Sequence, residues 1–340
     1  MNIWFNRWFT TAAHFIELIR NNPENRKFTI YGTHANLDAL YLQVCDFAYL
    51  EPDVDGMEYV DFCLDFCQNH QIDIFIPRKE NVLISKSLEK FHSIGVKVLV
   101  CPDYELMKML DNKVKAYQVV GEKTSIMIPE YFVVNNAEEF KYAYQTLRER
   151  GRTVCIKPAV GEGACGFRVI KENIDTVEQL IGGGNGYRIP YHYAYEILSQ
   201  QEHFSDLMVM EFLDGTEYSI DCLASTKKLY TAIPRMKGDG RVRELIEHHE
   251  LIQLAHEFYK EFSLPYVFNV QLKYSTGIPK LLEINPRMSG GLHISCLSGV
   301  NYPYLAIKLL LGEEIRNLSP QFGIRASHLE KEMILDSKII

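Results

Sequence analysis

The sequence lacks any apolar run approaching the ~20 residues that a membrane-spanning helix needs. Its aromatic start, MNIWFNRWFTTAAHF, contains Asn6 and Arg7 and has no small-residue cleavage site, so it does not resemble a secretory signal. No basic stripe opposes the net charge of −8, which disfavours binding to nucleic acid through phosphate neutralisation. These absences predict a soluble, cytoplasmic protein that binds neither membranes nor nucleic acids.

The eight cysteines do not form a pattern typical of disulfides or of zinc sites. They are scattered through strand-like and helix-like segments of a large chain, which favours reduced thiols. Cys63 and Cys67 are the closest pair and would share a helix face, but no second pair or nearby histidine completes a zinc set. We therefore interpret this pair as core residues.

The composition is that of a globular protein with more than one core. Of the 340 residues, 47% are apolar and 24% are charged, which makes roughly two or three domains the natural expectation. Residues 1–105 alternate short apolar runs with amphipathic segments, as parallel α/β sheets do. Ligands of such sheets gather beyond the carboxyl ends of the strands, which here are followed by Asn6 and Arg7, by His34 and by the PRKEN segment 77–81.

The first turn of this domain, FNRWFTT, contains no glycine. A dinucleotide pyrophosphate needs glycine there for close backbone approach, so the domain resembles the Rossmann pattern without the residues that hold its cofactor. We interpret it as a scaffold with some substrate contacts. A new domain is predicted to begin at about residue 106, where Asp111 can cap a helix that ends near Gly121.

A glycine-rich loop lies between two strand-like runs in TVCIKPAVGEGACGFRVIK. Lys157 precedes the loop, so one cation and several backbone amides could surround a polyphosphate. The loop satisfies G-x-G-x-x-G from Gly161 through Gly163 to Gly166, but a strand follows where a dinucleotide-binding helix should begin, and no Walker-type G-K-[ST] follows. A plain hairpin loop is the alternative.

Two carboxylates flank a turn in VMEFLDGTEYSID. Glu211 ends one predicted strand and Glu217 opens the next, around a connector whose backbone could contact an adenine edge. Carboxylates accept hydrogen bonds from an exocyclic amine or from ribose hydroxyls. The alternative is a pair of exposed glutamates at strand edges.

Polar groups alternate along the otherwise apolar strand in LLEINPRMSGG. Period-2 alternation predicts one face for Glu283, Asn285 and Arg287, and Gln271 of FNVQLKY can converge on that face from the paired strand. Carboxylate and amide oxygens are hard donors suited to Mg²⁺, and Arg287 could bind a phosphate or acyl phosphate. A buried strand would not keep these groups without a charged ligand, unless they form a self-satisfied polar network.

These motifs, in this order and at these separations, resemble the ATP-grasp superfamily and, within it, most of all the large subunit of carbamoyl phosphate synthetase. The resemblance covers about residues 106–311, while residues 1–105 resemble the α/β domain that precedes the grasp in those enzymes. It implies a doubly wound parallel α/β domain at 1–105, followed by two α+β subdomains at 106–180 and 181–340 that clasp ATP.

The resemblance also implies a role for each motif residue. Contacts with the ATP phosphates would come from Lys113, Lys157, Gly161, Gly163 and Gly166. Contacts with adenine would come from Glu211 and Leu213, and a contact with ribose from Glu217. The magnesium ligands, which could also hold Mn²⁺, would be Gln271, Glu283 and Asn285. The catalytic cations would be Arg287, at the transferred phosphoryl group, and Arg235, at the phosphate or acceptor site.

The pattern also departs from the complete synthetase. We find one grasp unit, no duplicated half, no glutamine-hydrolysing domain and no biotin attachment signal, so a stand-alone ligase is expected. Such an enzyme would activate a carboxylate as an acyl phosphate and join it to an amine-type nucleophile. Its partners would be these two small molecules, selected by segments such as 182–187 and 237–243, and a homodimer is left open. The alternatives are an ATP-grasp kinase and a non-catalytic ATP-binding regulatory module.

Overall fold

A computed structural model of the chain describes residues 1–161, 165–172 and 187–335. Contacts divide the chain into two compact units, the first comprising Met1–Leu110, Thr216–Leu272 and Ile284–Ile340, and the second Asp111–Gly215 and Lys273–Glu283. The predicted domain boundary at residue 105 lies near the end of the segment Met1–Leu110. The predicted boundary at residue 180 lies outside the described residues. None of the helices in the described ranges has the length and apolar character that crossing a membrane requires.

A five-stranded parallel sheet lies within residues 1–110. Its strands, in the spatial order β3-β2-β1-β4-β5, are β1 (Asn2–Asn6), β2 (Thr29–His34), β3 (Phe47–Leu50), β4 (Ile74–Ile76) and β5 (Lys97–Val98). Its helices are α1 (Ala12–Arg20), α2 (Gly56–Asn69), α3 (Asn81–Lys86), α4 (Leu88–Ser93) and α5 (Tyr104–Asp111), with a 3₁₀ turn at Leu40–Val44. The strand order reverses between β1 and β4, which confirms the predicted doubly wound parallel sheet.

A second sheet, which is mostly antiparallel, belongs to the second unit. Its strands, in the order β6-β10-β7-β8-β9, are β6 (Tyr131–Val134), β7 (Val154–Pro158), β8 (Arg168–Lys171), β9 (Arg188–Pro190) and β10 (Leu207–Glu211). The helices are α6 (Lys113–Lys123), α7 (Ala137–Glu149) and α8 (Tyr191–Leu198). Helix α7 buries Phe140, Ala143, Tyr144 and Leu147, the spacing of one helix face, and these side chains join the core of the sheet.

A six-stranded sheet completes the fold. Its strands, in the order β15-β14-β11-β12-β13-β16, are β11 (Glu217–Ala224), β12 (Leu229–Lys237), β13 (Arg243–Leu245), β14 (Tyr266–Ser275), β15 (Ile278–Asn285) and β16 (Ile324–Ala326). The remaining helices are α9 (His249–Phe262), α10 (Leu292–Ser295) and α11 (Tyr302–Leu310), with a 3₁₀ turn at Cys296–Ser298. Within the first unit, Ile233 and Leu245 of this sheet share one hydrophobic core with Phe5 and Ile76 of the parallel sheet.

The predicted cap of α6 is wrong by one residue. Asp111 ends α5, whereas Asn112 has an extended backbone and its side chain accepts a hydrogen bond from the backbone amide of Lys115 at 3.1 Å. Asparagine and aspartate are both good caps, so composition alone does not decide between neighbours.

Seven of the eight cysteines are buried and Cys165 is exposed. Cys63 and Cys67 lie on the buried face of α2, which confirms that they are core residues. Burial raises the pKa of the Cys67 thiol well above its usual range and that of Cys155 to about 12, so both stay protonated at neutral pH. Cys165 is therefore the one thiol positioned to react readily with a reagent in the folded protein.

Candidate active site

The carboxyl end of β15 presents the predicted metal ligands. Glu283 and Asn285 are partly exposed on either side of the buried Ile284, and Gln271 on the neighbouring strand β14 is also partly exposed. The alternation that predicted a shared face for Glu283 and Asn285 is therefore present. Each side chain carries an oxygen donor of the kind that Mg²⁺ prefers, and the residues fit such an ion by their chemistry.

Arg287 does not continue the pleat, contrary to the sequence interpretation. Strand β15 ends at Asn285, because Pro286 has no amide hydrogen to donate to a ladder. The partly buried Arg287 donates a hydrogen bond from Nη1 to the carbonyl oxygen of Met288 at 3.3 Å. It borders a cavity of about 20 Å³, which has room for about one water and not for a substrate.

Lys157 lies near the carboxyl end of β7, where its amine is partly buried. Its Nζ donates to the hydroxyl of Tyr117 at 2.9 Å and to the carbonyl oxygen of Leu282 at 3.3 Å. Burial and the nearby Lys113 cation lower the pKa of Lys157 to about 8, while Glu283 opposes this shift. The cation is thus held by neutral acceptors, and an anionic ligand would stabilise its charged form.

Lys113 opens helix α6 beside the start of the glycine-rich loop. Its amide donates to the carbonyl oxygen of Ala159 at 3.0 Å, and its Nζ donates to the carbonyl oxygen of Gly161. Gly166 has φ of 72°, and a Cβ there would lie 2.7 Å from Pro158, so the close approach requires glycine. Gly163, which was also predicted to contact phosphates, lies outside the described residues.

Glu211 is buried in an ion pair that sequence reasoning missed. It is 2% exposed, and its carboxylate accepts hydrogen bonds from Lys280 and, at 2.9 Å, from the backbone amide of Glu130. Arg152 lies 3.8 Å from the other carboxylate oxygen. A contact of Glu211 or the buried Leu213 with adenine stays a prediction, and the structure adds that the Glu211 carboxylate already has cationic partners.

Glu217 opens β11 directly opposite Lys237 on β12. The two carboxylate oxygens of Glu217 accept hydrogen bonds from Lys237 Nζ at 3.2 and 3.3 Å. Because Lys237 is exposed, this pair contributes little to stability and would yield readily to a ligand. The predicted contact between Glu217 and ribose stays a prediction.

Arg235 is part of a buried polar network centred on Asp221. The guanidinium donates from Nε and Nη2 to Asp221 Oδ2 at 3.3 and 3.2 Å, and from Nη2 to Ser289 Oγ at 3.3 Å. Asp221 also accepts hydrogen bonds from Ser289, Ser295 and Asn269 at 2.6–2.8 Å. Sequence reasoning missed this network, although the aspartate in an otherwise apolar strand, SIDCLA, was a signal.

Gly291 provides the space for the Arg235 side chain. A Cβ at Gly291 would lie 2.4 Å from Arg235 Nη1 and 2.5 Å from its Cζ, closer than real Cβ contacts occur. The glycine pair after Arg287 in the sequence therefore has a packing reason at its second position. The orientation of Arg235 is held on one side by Asp221 and on the other by this loop.

Comparison with known proteins gives two matches to family models. Residues 203–332 match the family described as ATP-grasp in the biosynthetic pathway with Ter operon, and residues 10–99 match the PylC-like N-terminal domain. The carbamoyl phosphate synthase arginine-specific large chain of Geobacillus stearothermophilus is 25% identical over 307 residues, which are 88% of this chain and 26% of that one. The chain thus spans about a quarter of the length of this curated relative.

Solved structures share the fold. The ADP complex of N5-carboxyaminoimidazole ribonucleotide synthetase matches with a TM-score of 0.65 and 13% identity, covering 92% of this chain and 78% of that one. The biotin carboxylase domain of Hydrogenobacter thermophilus 2-oxoglutarate carboxylase matches with a TM-score of 0.66 and 14% identity, covering 95% and 73%. Residues 203–332 are therefore similar to an ATP-grasp family and residues 10–99 to a PylC-like N-terminal domain, and the chain shares the fold of these solved structures.

Proposed function

We propose that this protein is an ATP-grasp ligase that activates a carboxylate with ATP and joins the acyl group to an amine-type nucleophile, releasing ADP and phosphate. The observation that carries the proposal is the carboxyl end of β15, where Glu283 and Asn285 stand partly exposed around a buried Ile284 and Arg287 follows. This segment lies within the residues that match the ATP-grasp family model.

The charge of each side chain suggests its role: the cations would bind phosphates, and the oxygen donors would bind a metal ion. Lys113 and Lys157 would bind the ATP phosphates, with the backbone of the glycine-rich loop. Gln271, Glu283 and Asn285 would hold Mg²⁺ or Mn²⁺, which when bound neutralises charge on the phosphate oxygens. These assignments follow from donor chemistry and from the ATP-grasp resemblance.

The reaction would proceed in two displacements. A carboxylate oxygen of the substrate attacks the γ-phosphorus of ATP, and ADP leaves. Arg287 would donate hydrogen bonds to the phosphoryl oxygens in transit, while Arg235 would orient the phosphate or the acceptor. The amine then attacks the acyl carbon, and the phosphate leaves with one of the former carboxylate oxygens.

An assay of ADP release tests the proposal against its two alternatives. A carboxylate and an amine together should stimulate ADP and phosphate release in equal amounts and form an amide. A kinase would release ADP and a stable phosphorylated product without needing an amine. A regulatory module would bind ATP and release no ADP with any pair in a metabolite panel. Either result would refute the ligase assignment.

We expect the affinity for ATP to fall as pH rises through about 8. Lys157 is a cation below its pKa of about 8 and neutral above it, so its attraction to phosphate is present at pH 7 and lost at pH 9. Titration calorimetry of MgATP from pH 6.5 to 9.5 would measure this loss. In Lys157→Arg the guanidinium stays charged throughout, so the pH dependence should flatten. An unchanged slope in this variant would contradict the role of Lys157.

Cys165 should report nucleotide binding. The exposed thiol lies in the predicted phosphate-binding segment 161–166, whereas the other seven cysteines are buried. We expect MgATP to slow alkylation of Cys165 several-fold, measured by mass spectrometry of the labelled peptide. MgCl₂ without nucleotide is the control. Equal rates with and without MgATP would count against phosphate binding by this loop.

A further inference from the structure

One face of the six-stranded sheet changes from apolar to cationic along its length. In the antiparallel pairing of β12 with β13, Arg235 lies opposite Leu245 and Lys237 lies opposite Arg243. Directly opposed residues project to the same face, as do residues two apart on a strand. This face is therefore buried in the core at Leu245 and carries three cations, Arg235, Lys237 and Arg243, towards the end of β12.

The guanidinium of the buried Arg235 is hydrogen-bonded through Nε and Nη2, along one edge. Asp221 and two serines accept the hydrogen bonds of Nε and Nη2, and Gly291 packs against the guanidinium. Nη1 has no hydrogen-bond partner within residues 1–161, 165–172 and 187–335. A planar guanidinium fixed along one edge is preorganised to bind an anion through the other.

Arg243 is partly buried, and no carboxylate of a described residue lies within 4 Å of its guanidinium. Its Nη1 donates only to the carbonyl oxygens of Val242 at 2.7 Å and Gly240 at 3.5 Å. Burial and the neighbouring Arg235 cation lower the pKa of Arg243, and the Glu217 carboxylate only partly opposes this shift. Partial burial of one guanidinium beside another costs free energy, which an anionic ligand would offset.

The nearby acidic residues are committed to other cations. Glu244, next to Arg243 in the chain, lies 3.6 Å from Arg325 across β13 and β16. Arg241, on the same turn as Arg243, pairs with Glu330 at 2.6 Å. Arg243 therefore differs from the exposed Arg241 and Arg325, each of which has a carboxylate partner within 4 Å.

The charge balance of this face suits a single negative charge. Three cations, Arg235, Lys237 and Arg243, face two carboxylates, Glu217 and Asp221, which leaves a net charge of +1. His293 is also near, but burial and the adjacent His14 lower its pKa to about 4, so it adds no charge at neutral pH. A carboxylate neutralises the face, whereas a phosphate dianion would leave it negative.

We propose that Arg235 and Arg243 form a subsite that binds a carboxylate group of the small-molecule substrate, with Asp221, Ser289 and Ser295 as the residues that position Arg235. That the bound molecule is a substrate rests on the proposed ligase function, whereas binding of a carboxylate at this subsite does not. The segment between Lys237 and Arg243 would then contribute to substrate specificity. The substrate would carry an anionic group that contacts Arg235 and Arg243.

Chemical footprinting with acetate as the probe tests the subsite without ATP. Phenylglyoxal modifies accessible arginines, and peptide mass spectrometry gives the rate at each one. With acetate at about four times its dissociation constant, modification of Arg243 should slow about fivefold relative to chloride at equal ionic strength. Arg241 is the internal control, and its rate should change less than twofold, because its guanidinium is exposed and bound to Glu330.

Two outcomes of the footprinting would overturn the proposal. Equal rates at Arg243 in acetate and chloride would remove the subsite, and stronger protection by inorganic phosphate than by acetate would make it a phosphate site. Saturation-transfer NMR of acetate gives a second readout: the signal should fall severalfold in Arg243→Gln and stay near wild type in Arg20→Gln, a surface arginine of α1 that pairs with Asp46. Equal signals in the two variants would also refute the proposal. Failure of the ligase function would leave these binding results unchanged, so the two failures can be told apart.

Discussion

Replacing Arg287 with alanine is expected to lower kcat by about 10²-fold or more and to leave the Kd for ATP within several-fold of wild type, the scale typical of losing one preorganised charge stabiliser. The phosphates of bound ATP have Lys113 and Lys157 as cationic partners in our assignment. A further cation beside the predicted metal ligands would matter most while the phosphoryl group is in transit. An interaction made mainly in the transition state lowers kcat when it is removed and barely changes ground-state affinity.

Calorimetric titration of ATP and an ADP-release assay, performed on the same preparation, measure the two quantities separately. Arg20→Ala is a suitable control, because Arg20 is a surface residue of α1 that pairs with Asp46. It should match wild type in both assays. If Arg287→Ala lost affinity and turnover by the same factor through weaker ATP binding, Arg287 would be a binding residue and not a catalytic one.

Replacing Glu283 with alanine is expected to abolish nearly all turnover while the protein stays folded. Glu283 is the only carboxylate among the three predicted metal ligands, Gln271 and Asn285 being amides, so its loss would remove the one formal negative charge that holds Mg²⁺. The side chain is partly exposed at the end of β15, and its truncation leaves no buried cavity. Thermal unfolding should therefore change little.

The decisive comparison for Glu283 is the dependence of ADP release on Mg²⁺ concentration. Glu283→Asp should require more Mg²⁺ and recover part of the activity at high concentration, whereas Glu283→Ala should not recover. Glu196→Ala, on the exposed face of α8, is the control and should behave as wild type. Unchanged ADP production by folded Glu283→Ala would refute the assignment of Glu283 as a metal ligand.

Local patterns predicted the fold and part of the site. Hydrophobic runs of strand length, spaced by amphipathic segments, predicted the parallel sheet, and the alternation around Ile284 predicted a shared face for Glu283 and Asn285. The prediction that Arg287 continues this strand face was wrong, because β15 ends at Asn285, before Pro286. The cap at Asn112 was missed because neighbouring Asp111 has an equally suitable side chain.

Tertiary pairing was not predictable from local patterns. The partners of Asp221 come from residues 235, 269, 289 and 295, on two strands, a loop and a short helix. Lys280 and Glu211 are 69 residues apart, and each lies in a strand that looks apolar on its own. Arg243 was not singled out, because its position beside Arg235 depends on the pairing of β12 with β13, which the sequence alone does not reveal.

The most direct test of the ligase mechanism follows an oxygen atom. With a carboxylate that stimulates ADP release, labelled with ¹⁸O in its carboxyl group, and an amine acceptor, mass spectrometry of the released phosphate would show whether an acyl phosphate formed. The proposed mechanism predicts one ¹⁸O atom transferred to each phosphate, in equal amount to ADP and amide. Unlabelled phosphate, which would mean that water and not the carboxylate attacked ATP, would contradict it.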